Sequence, residues 1–219
     1  MKITASRFHI SAARPEDFPR DDRPHIAFMG RSNVGKSSLL NRLLGAHGLA
    51  RTSKEPGRTR AINFFVVNES LYFVDLPGYG YARVPDAVRE QWKDLVESYV
   101  AAPGRPDLAV QLVDARREPG EMDRELLEWL QDRGVRHEVV LTKVDKLSRN
   151  EKTRALAGVA RWLGLKNGEV PIATSATTGD GLPGLWRVID EVCEHRKLRS
   201  ARGDEPRGRA ATQGGSLTP

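Results

Sequence analysis

The sequence predicts an α/β protein in which helices cover both faces of a mostly parallel sheet, giving three layers. Short apolar runs alternate along the chain with segments whose apolar residues recur every three or four positions, the pattern of strands alternating with helices. Hydrophobic residues make up 39% of the 219 residues, which is enough for the core of one domain. We expect about six strands, of which one is antiparallel and belongs to a hairpin.

The first strand and helix of the alternating pattern are separated by a glycine-rich turn. The strand is the apolar run His25 to Met29, and the helix covers Ser37 to Leu44, where leucines recur at helical spacing. Gly45 is expected to end this helix. Residues 46–60 show no periodicity, and a loop of that length in a compact domain usually has a function.

The rest of the domain continues the alternation after a hairpin. The runs Ile62 to Val67 and Leu71 to Asp75 are separated by only three residues, which favours antiparallel pairing. Ser148 with Glu151 matches a capping box and opens a helix. Strands are expected at Leu108 to Val113, Glu138 to Leu141 and Val170 to Thr174, and helices at Asp86 to Ala102, Asp123 to Gln131, Ser148 to Leu163 and Leu182 to Leu198.

The two ends of the chain differ from this domain in composition. Residues 1–24 are a lead-in segment that could hold one short strand around Ile3 to Ile10, and residues 25–199 form the expected domain. Residues 200–219 lack apolar periodicity and are expected to be a disordered basic tail. From Arg196 onward six basic residues face two acidic ones, so +4 of the chain's net charge of +6 lies there. Such a tail either contacts RNA or aids solubility alone.

Composition also excludes several classes of protein. Cys193 is the only cysteine, so an internal disulfide and a cysteine metal cage are excluded. No apolar run approaches the roughly 18 residues that a membrane span needs. Met1 to Asp17 lacks the apolar centre of a signal peptide. We therefore expect a cytoplasmic protein without a membrane partner.

The turn between the first strand and helix fits the phosphate-loop pattern G-x-x-x-x-G-K-[ST] without a gap. Its glycines let the backbone approach a phosphate closely, and its N–H groups ring that phosphate at the positive end of the helix. Lys36 supplies charge to the β- and γ-phosphates, and Ser37 offers a hydroxyl to Mg²⁺. The alternative is a chance match, which the flanking strand and helix disfavour. The loop comprises Gly30, Arg31, Ser32, Asn33, Val34, Gly35, Lys36 and Ser37.

A second candidate segment, Asp75-Leu76-Pro77-Gly78, follows the strand Leu71 to Asp75. A buried strand that carries a carboxylate to its C-terminal edge is suited to organising Mg²⁺ beside phosphates. Asp75 would hold the ion through its water shell, and the backbone N–H of Gly78 could face the γ-phosphate. The alternative is an ordinary turn, because Asp, Pro and Gly are turn residues.

Two further segments follow later strands and suit recognition of a base. A carboxylate at Asp145 can accept from both N1–H and the 2-amino group of guanine, whereas adenine offers no such pair of donors. The stem of Lys143 can cover a face of the base, and the N–H of Ala176 can meet O6. Either segment alone could be a plain turn or strand end. The segments comprise Thr142, Lys143, Val144 and Asp145, and Thr174, Ser175 and Ala176.

Together these residues resemble the EngB-type ribosome-biogenesis GTPases (also called YihA or YsxC), a group of translation-factor-related P-loop GTPases. The resemblance covers roughly Ile26 to the final helix and is carried by GRSNVGKSSLLNRLLG, PGRTRAINFF, DLPGYGYARV, LVDARREP and LTKVDKLS. It implies a P-loop GTPase three-layer fold that binds GTP and GDP with Mg²⁺. It also implies a role in large ribosomal subunit assembly and a requirement for cell division and septation.

The resemblance assigns roles to residues that the motifs alone leave open. GTP contacts would also come from the long loop, and Ser37 and Thr59 would hold Mg²⁺. Thr59 would meet the ion only when the γ-phosphate is present, as in an order–disorder switch. Lys36, Thr59 and Gly78 would then be the catalytic residues. The added loop contacts are Gly57, Arg58, Thr59, Arg60 and Ala61.

Three positions depart from common GTPase patterns or suggest a further ion. Position 142 is Thr where many GTPases have Asn, so that bracing of the base loop could be weaker. Tyr79 stands where small signalling GTPases have the Gln that orients the attacking water, so we expect slow intrinsic hydrolysis. Some related GTPases use an Asn at the position of Asn33 to hold K⁺, and K⁺ stimulation is a hypothesis here. The alternative is that Asn33 is a hydrogen-bonding loop residue.

The sequence thus favours a monomeric GTPase switch whose partner is the large ribosomal subunit, with no DNA expected. One alternative is a nucleotide-gated ribosome-binding module with negligible hydrolysis, which Tyr79 would favour. Another is a small-molecule kinase, against which the two base-recognition segments argue.

Overall fold

A computed structural model describes residues 3–46, 48–50, 61–79, 86–102, 106–166 and 169–202, with the backbone alone at 86–89 and 92. The strands of these residues form one seven-stranded sheet. In chain order they are β1 (Ser6–Ala12), β2 (His25–Gly30), β3 (Ile62–Val67), β4 (Leu71–Asp75), β5 (Leu108–Asp114), β6 (His137–Thr142) and β7 (Ile172–Ala173).

The spatial order of the strands is β1-β3-β4-β2-β5-β6-β7. Four neighbouring pairs are parallel, whereas β3 runs antiparallel to both β1 and β4. Asn68 and Glu69 turn the β3–β4 hairpin with positive φ values of 50° each. The expected mostly parallel sheet with an antiparallel hairpin is confirmed, and β1 from the lead-in segment is the strand beyond the expected six.

Helices lie on both faces of this sheet, as the apolar spacing predicts. Leu40 and Ile189 belong to the core on one face, whereas Tyr99 and Leu130 belong to the core on the other. A third cluster around Val159 continues the second face. The helices are α1 (Lys36–Leu43), α2 (Asp86–Ala101), α3 (Glu121–Asp132), α4 (Arg149–Trp162) and α5 (Leu182–Ala201), with short 3-10 turns at Pro15–Asp17 and Val144–Lys146.

Local chemistry explains where these helices begin. Ser148 and Glu151 form the expected capping box at α4, in which the Ser148 hydroxyl accepts from the Glu151 N–H at 3.4 Å. Glycines, namely Gly35 and Gly181, precede α1 and α5 in left-handed conformations. Within the residues described, no helix combines the length and apolarity that crossing a membrane requires.

The parallel strands bring the candidate site residues to one edge of the sheet. Since β2, β4, β5, β6 and β7 all run in one direction, their carboxyl ends meet there. Ligands of open α/β sheets bind at this edge. The predicted segments after β2, β4, β6 and β7 therefore share one rim.

Candidate nucleotide-binding site

The turn between β2 and α1 is built by two glycines. A Cβ atom on Gly30 would lie 2.9 Å from the carbonyl oxygen of Leu112, so that only glycine fits between β2 and β5 here. Gly35 has a φ of 109° and comes directly before the first residue of α1. The first-turn N–H groups of α1 have no partners within the helix and lie at the positive end of its dipole. The turn can therefore accept an anion such as phosphate.

Lys36 is the first residue of this helix and forms an ion pair with Asp75 at the end of β4. The two side chains are only 13% and 8% exposed. A carboxylate and an ammonium group thus face each other beside the turn. Phosphate binding would give Lys36 an anionic partner other than Asp75 and would free the carboxylate for a hydrated cation.

The segment after β4 lies against the glycine-rich turn. A Cβ atom on Gly78 would be 3.4 Å from both the carbonyl oxygen of Gly30 and the backbone nitrogen of Ser32. Tyr79 donates its N–H to the Gly30 carbonyl at 3.3 Å and accepts from the Ser32 N–H at 3.0 Å. Leu76 donates to the Phe28 carbonyl at 3.2 Å. Gly78 is therefore held close to the position that a phosphate would take.

The segment after β6 is tied to the turn by side-chain hydrogen bonds. The hydroxyl of Thr142 donates to the carbonyl of Val34 at 2.6 Å. The ammonium group of Lys143 donates to the Asn33 carbonyl at 2.6 Å, and Lys143 itself has a left-handed φ of 60°. Threonine at position 142 thus joins the two loops through its hydroxyl, without the amide that many GTPases have there.

The carboxylate of Asp145 is oriented by the segment after β7. Ser175 donates its hydroxyl to one carboxylate oxygen at 2.7 Å, and Lys146 lies 3.1 Å from the other. The hydrogen bond from Ser175 and the charge of Lys146 lower the pKa of Asp145, so the group is an ionised acceptor at neutral pH. An ionised acceptor of this kind suits a base edge with two adjacent donors.

Thr174 and Ala176 complete that segment in different ways. Thr174 is fully buried and its hydroxyl donates to the Leu141 carbonyl at 2.9 Å, so the side chain joins β6 to the end of β7. Ala176 begins the turn that follows Ser175 and is partly exposed. Val144 is buried in the core beneath the base loop. Thr174 and Val144 therefore support the rim from the protein interior, and their side chains do not line its surface.

Sequence reasoning missed Asp114, the last residue of β5, which contacts the segment after β6 through Lys143. Lys143 lies 2.8 Å from its carboxylate, and Arg116 donates to both of its oxygens. Burial acts to raise the pKa of Asp114, but the hydrogen bonds from Arg116 and Lys143 outweigh it and hold the pKa well below its ordinary value. The signal was a carboxylate at the end of an apolar strand, within LVDARREP.

Asn41 of α1 is a second residue that motif reasoning missed. Its amide donates to the carbonyl of Ala50 at 2.8 Å, and its amide oxygen accepts from the Ala50 N–H at 2.7 Å. Ala50 belongs to the first part of the long loop and is the last residue described there. Ala61, at the other end of that loop, directly precedes β3, whereas Gly57, Arg58, Thr59 and Arg60 lie outside the described residues.

Comparisons with known proteins identify the family to which the chain is similar. Residues 25–143 match a family model described as "50S ribosome-binding GTPase". The chain is 47% identical over 192 residues to a probable GTP-binding protein EngB of Geobacter metallireducens, covering 87% of this chain and 93% of the relative. A probable GTP-binding protein EngB of Syntrophus aciditrophicus is 46% identical over 204 residues, covering 93% of this chain and 98% of the relative.

A solved structure is similar as well. The crystal structure of a probable GTP-binding protein EngB superposes with a TM-score of 0.65 at 29% identity, covering 78% of this chain and 99% of that one. Relatives that match most of the chain at well over 30% identity, together with the family model, establish that this chain belongs to the EngB family of GTP-binding proteins and is a GTP-hydrolysing enzyme.

Proposed function

We propose that the chain is a nucleotide-dependent switch that acts in assembly of the large ribosomal subunit, with GTP and GDP alternating at the rim described above. The observation that carries the nucleotide site is the joining of two loops by Thr142 and Lys143, which fixes a base-recognition segment relative to a phosphate-binding turn. Contacts would come from Gly30 to Ser37, Gly57 to Ala61, Asp75 to Gly78, Thr142 to Asp145 and Thr174 to Ala176.

Guanine would be selected by Asp145. Its ionised carboxylate accepts two hydrogen bonds from N1–H and the 2-amino group, whereas adenine would leave it unpaired. Ser175 occupies one lone pair of that carboxylate and fixes its direction. The stem of Lys143 would then cover one face of the ring.

Hydrolysis would occur at the other end of the nucleotide. Water attacks the γ-phosphorus in line, and the charge that develops is stabilised by Lys36 and by N–H groups of the phosphate loop. The backbone N–H of Gly78 would contact the γ-phosphate. The side chain of Tyr79 lacks the amide with which a Gln would orient water, and its hydroxyl donates to Asp123. The intrinsic rate of GTP hydrolysis should therefore be slow.

A magnesium ion fits the donors at this end. Ser37 offers a hydroxyl in the first turn of α1, and Asp75 offers a carboxylate; both are hard oxygen ligands of the kind that Mg²⁺ prefers. Ser37 would bind the ion directly with Thr59, and Asp75 would act through its water shell. When bound, the ion would neutralise charge on the β- and γ-phosphates.

The proposed partner is the large subunit, through its RNA or proteins. The description of the matching family supports this partner, and so does the surface of α4, where Arg149, Arg154 and Arg161 are exposed beside one exposed acid, Glu151. Phosphates would be attracted to such a face and to the basic tail. The requirement for cell division and septation is part of the same proposal, with the protein acting as a cytoplasmic monomer.

Nucleotide-dependent co-sedimentation with purified large subunits tests the partner. We expect binding with a nonhydrolysable GTP analogue and release with GDP, with binding weakening steeply as salt rises. Arg154→Ala with Arg161→Ala should weaken binding, whereas the matched pair Arg14→Ala with Arg20→Ala, also exposed arginines, should not. Equal binding with both nucleotides would overturn the switch.

K⁺ stimulation through Asn33 is the second part of the proposal. Asn33 has a left-handed φ of 62° and an exposed side chain, with its carbonyl engaged by Lys143. We expect faster turnover in K⁺ than in Na⁺ and loss of the difference in Asn33→Ala. Equal rates in both salts, with and without the substitution, would assign Asn33 to the loop hydrogen bonds alone.

A further inference from the structure

Tyr79 is anchored at three points, although it directly follows the glycine proposed to meet the γ-phosphate. Its N–H and carbonyl bond to Gly30 and Ser32 of the phosphate loop at 3.3 and 3.0 Å. Its hydroxyl donates to Asp123 of α3 at 2.7 Å, across 44 residues of chain. Tyr79 therefore joins the segment after β4 to the start of α3, the helix that follows β5.

Asp123 is a buried hydrogen-bond acceptor whose position is fixed by neighbouring groups. Its residue exposure is 2%, and its second carboxylate oxygen accepts from the Gly120 N–H at 2.7 Å in the first turn of α3. The side-chain amide of Gln111, a fully buried residue of β5, donates to the Asp123 carbonyl at 2.6 Å. The carboxylate thus has a fixed position, set by the helix start and by the sheet.

Charge and burial strengthen this contact. Burial first, and then the charge and hydrogen bond of Asp123, raise the pKa of Tyr79 above its ordinary value, so the hydroxyl remains a proton donor. A hydrogen bond to an ionised carboxylate is stronger than one between neutral groups. Arg31 of the phosphate loop also reaches this helix start, because its Nη1 atom lies 3.1 Å from where a Cβ on Gly120 would be.

Gly78 takes its position from this anchor. It directly precedes Tyr79, and a Cβ on it would lie 3.4 Å from Ser32 and from the Gly30 carbonyl. With Tyr79 fixed on one side and β4 on the other, Gly78 lies against the phosphate loop before nucleotide arrives, and its N–H is the group proposed to meet the γ-phosphate. A third phosphate would use this group, and a diphosphate would not.

We propose that Asp123 is a positioning residue that acts through Tyr79 to hold Gly78 ready for a terminal phosphate, and so favours a nucleoside triphosphate over a diphosphate. The inference rests on the proposed placement of the γ-phosphate at Gly78. It assigns Tyr79 a positional role in place of water activation. It also makes the start of α3 part of the machinery that distinguishes the two nucleotides.

Tyr79→Phe tests this directly, since it removes one oxygen atom. In titration calorimetry with Mg²⁺, the affinity for a nonhydrolysable GTP analogue should fall about 10-fold, the loss expected for one hydrogen bond to a charged group. The affinity for GDP should stay within about twofold, and single-turnover hydrolysis should slow. Equal losses for GDP and the analogue would show a merely structural role and overturn the proposal.

Tyr72→Phe is the matched control. Tyr72 is also buried and donates its hydroxyl to an aspartate, Asp21, at 2.8 Å, but lies at the start of β4, away from the rim. Its substitution should lower the melting temperature and leave the ratio of the two affinities unchanged. Asp123→Asn is a second variant that should lower the same ratio, and an unchanged ratio in both rim variants would overturn the proposal. Absence of guanine nucleotide binding in the unsubstituted protein would instead contradict the proposed function.

Discussion

The base end and the phosphate end of the rim differ in what their charged groups contact. At the base end, Ser175 donates to one oxygen of the Asp145 carboxylate, which keeps further lone pairs for guanine, and Thr142 braces the loop. At the phosphate end, Lys36 is paired with Asp75, so its charge has a protein partner that a phosphate must replace. Under the proposed function, recognition of the base is therefore prepared in advance, whereas binding of phosphate requires an exchange of partners.

This difference separates specificity from switching. A base loop that does not rearrange can discriminate guanine from adenine through unpaired groups alone. An ion pair that opens when phosphate binds can transmit the presence of nucleotide to β4 and the segment after it. We expect substitution of Asp145 to change which base is bound, and substitution of Lys36 to change how strongly any guanine nucleotide binds.

Asp145→Asn should give the largest effect. It replaces a carboxylate that accepts two charge-assisted hydrogen bonds by a neutral amide, whose NH2 group would face one of the two guanine donors, so GTP affinity should fall by about 100-fold or more. Xanthine has a carbonyl in place of the 2-amino group, so affinity for XTP should rise. Calorimetry with both nucleotides measures the change. Asp132→Asn, at an exposed residue of α3, has the same change in charge and should alter neither affinity.

Lys36→Ala should follow in size. GTP and GDP should each lose about 100-fold in affinity, because the ammonium group contacts the phosphates in both. The unliganded protein should also lose stability, by about 3 kcal/mol, because Asp75 would remain as a nearly buried carboxylate without its ion pair. Equilibrium unfolding measures the second effect. Lys93→Ala, at an exposed position in α2, should change neither quantity.

Much of this rim could be predicted from sequence, because its motifs are contiguous. Gly30 to Ser37 and Thr142 to Asp145 are short segments whose residue types one proposed ligand would require, and they follow strands that run in parallel. The roles of Asp114 and Asp123 could not be predicted in this way. Asp114 has a local partner in Arg116, but its contact with Lys143 and the contact of Asp123 with Tyr79 join residues far apart in the chain, and local patterns do not encode such pairs.

β1, the strand beyond the six expected, shows that sequence patterns also fail to predict long-range pairing in the fold. The run around Ile3 to Ile10 has weak alternation, so the sequence indicates a possible strand without a partner. Its pairing with β3 places Ser6 opposite Val67 and Ala12 opposite Ile62. Long-range pairing of this kind depends on the edge of the β3–β4 hairpin, which lies at least 50 residues away in the chain.

Thr142→Val should have a smaller effect that connects the two ends. It keeps the shape of the side chain and removes the hydroxyl that donates to the Val34 carbonyl, so stability should fall by about 1–2 kcal/mol. Affinity for GTP and GDP should fall together by several-fold, since both loops lose their relative position. Thr142→Ser retains the hydroxyl and should keep most of the affinity. A loss for only one nucleotide would contradict the bracing role.

Acid should give the smallest effect, through Asp114. Its pKa in the folded protein lies below the unfolded value of about 3.9. Its contribution to stability is therefore complete above about pH 5 and is lost as pH falls from there through the lower pKa of the folded protein. The free energy of unfolding should therefore fall less between pH 6 and pH 3 in Asp114→Asn than in the unsubstituted protein. Equal slopes would show that the contacts with Arg116 and Lys143 contribute nothing.

The most direct test of a guanine-specific rim is titration calorimetry of the full chain with GTP and with ATP at the same Mg²⁺ concentration. The carboxylate of Asp145, already ionised and oriented by Ser175, predicts that GTP binds at least about 100-fold more tightly than ATP. Equal affinities would contradict the base-recognition role of Asp145 and leave only a phosphate-binding turn.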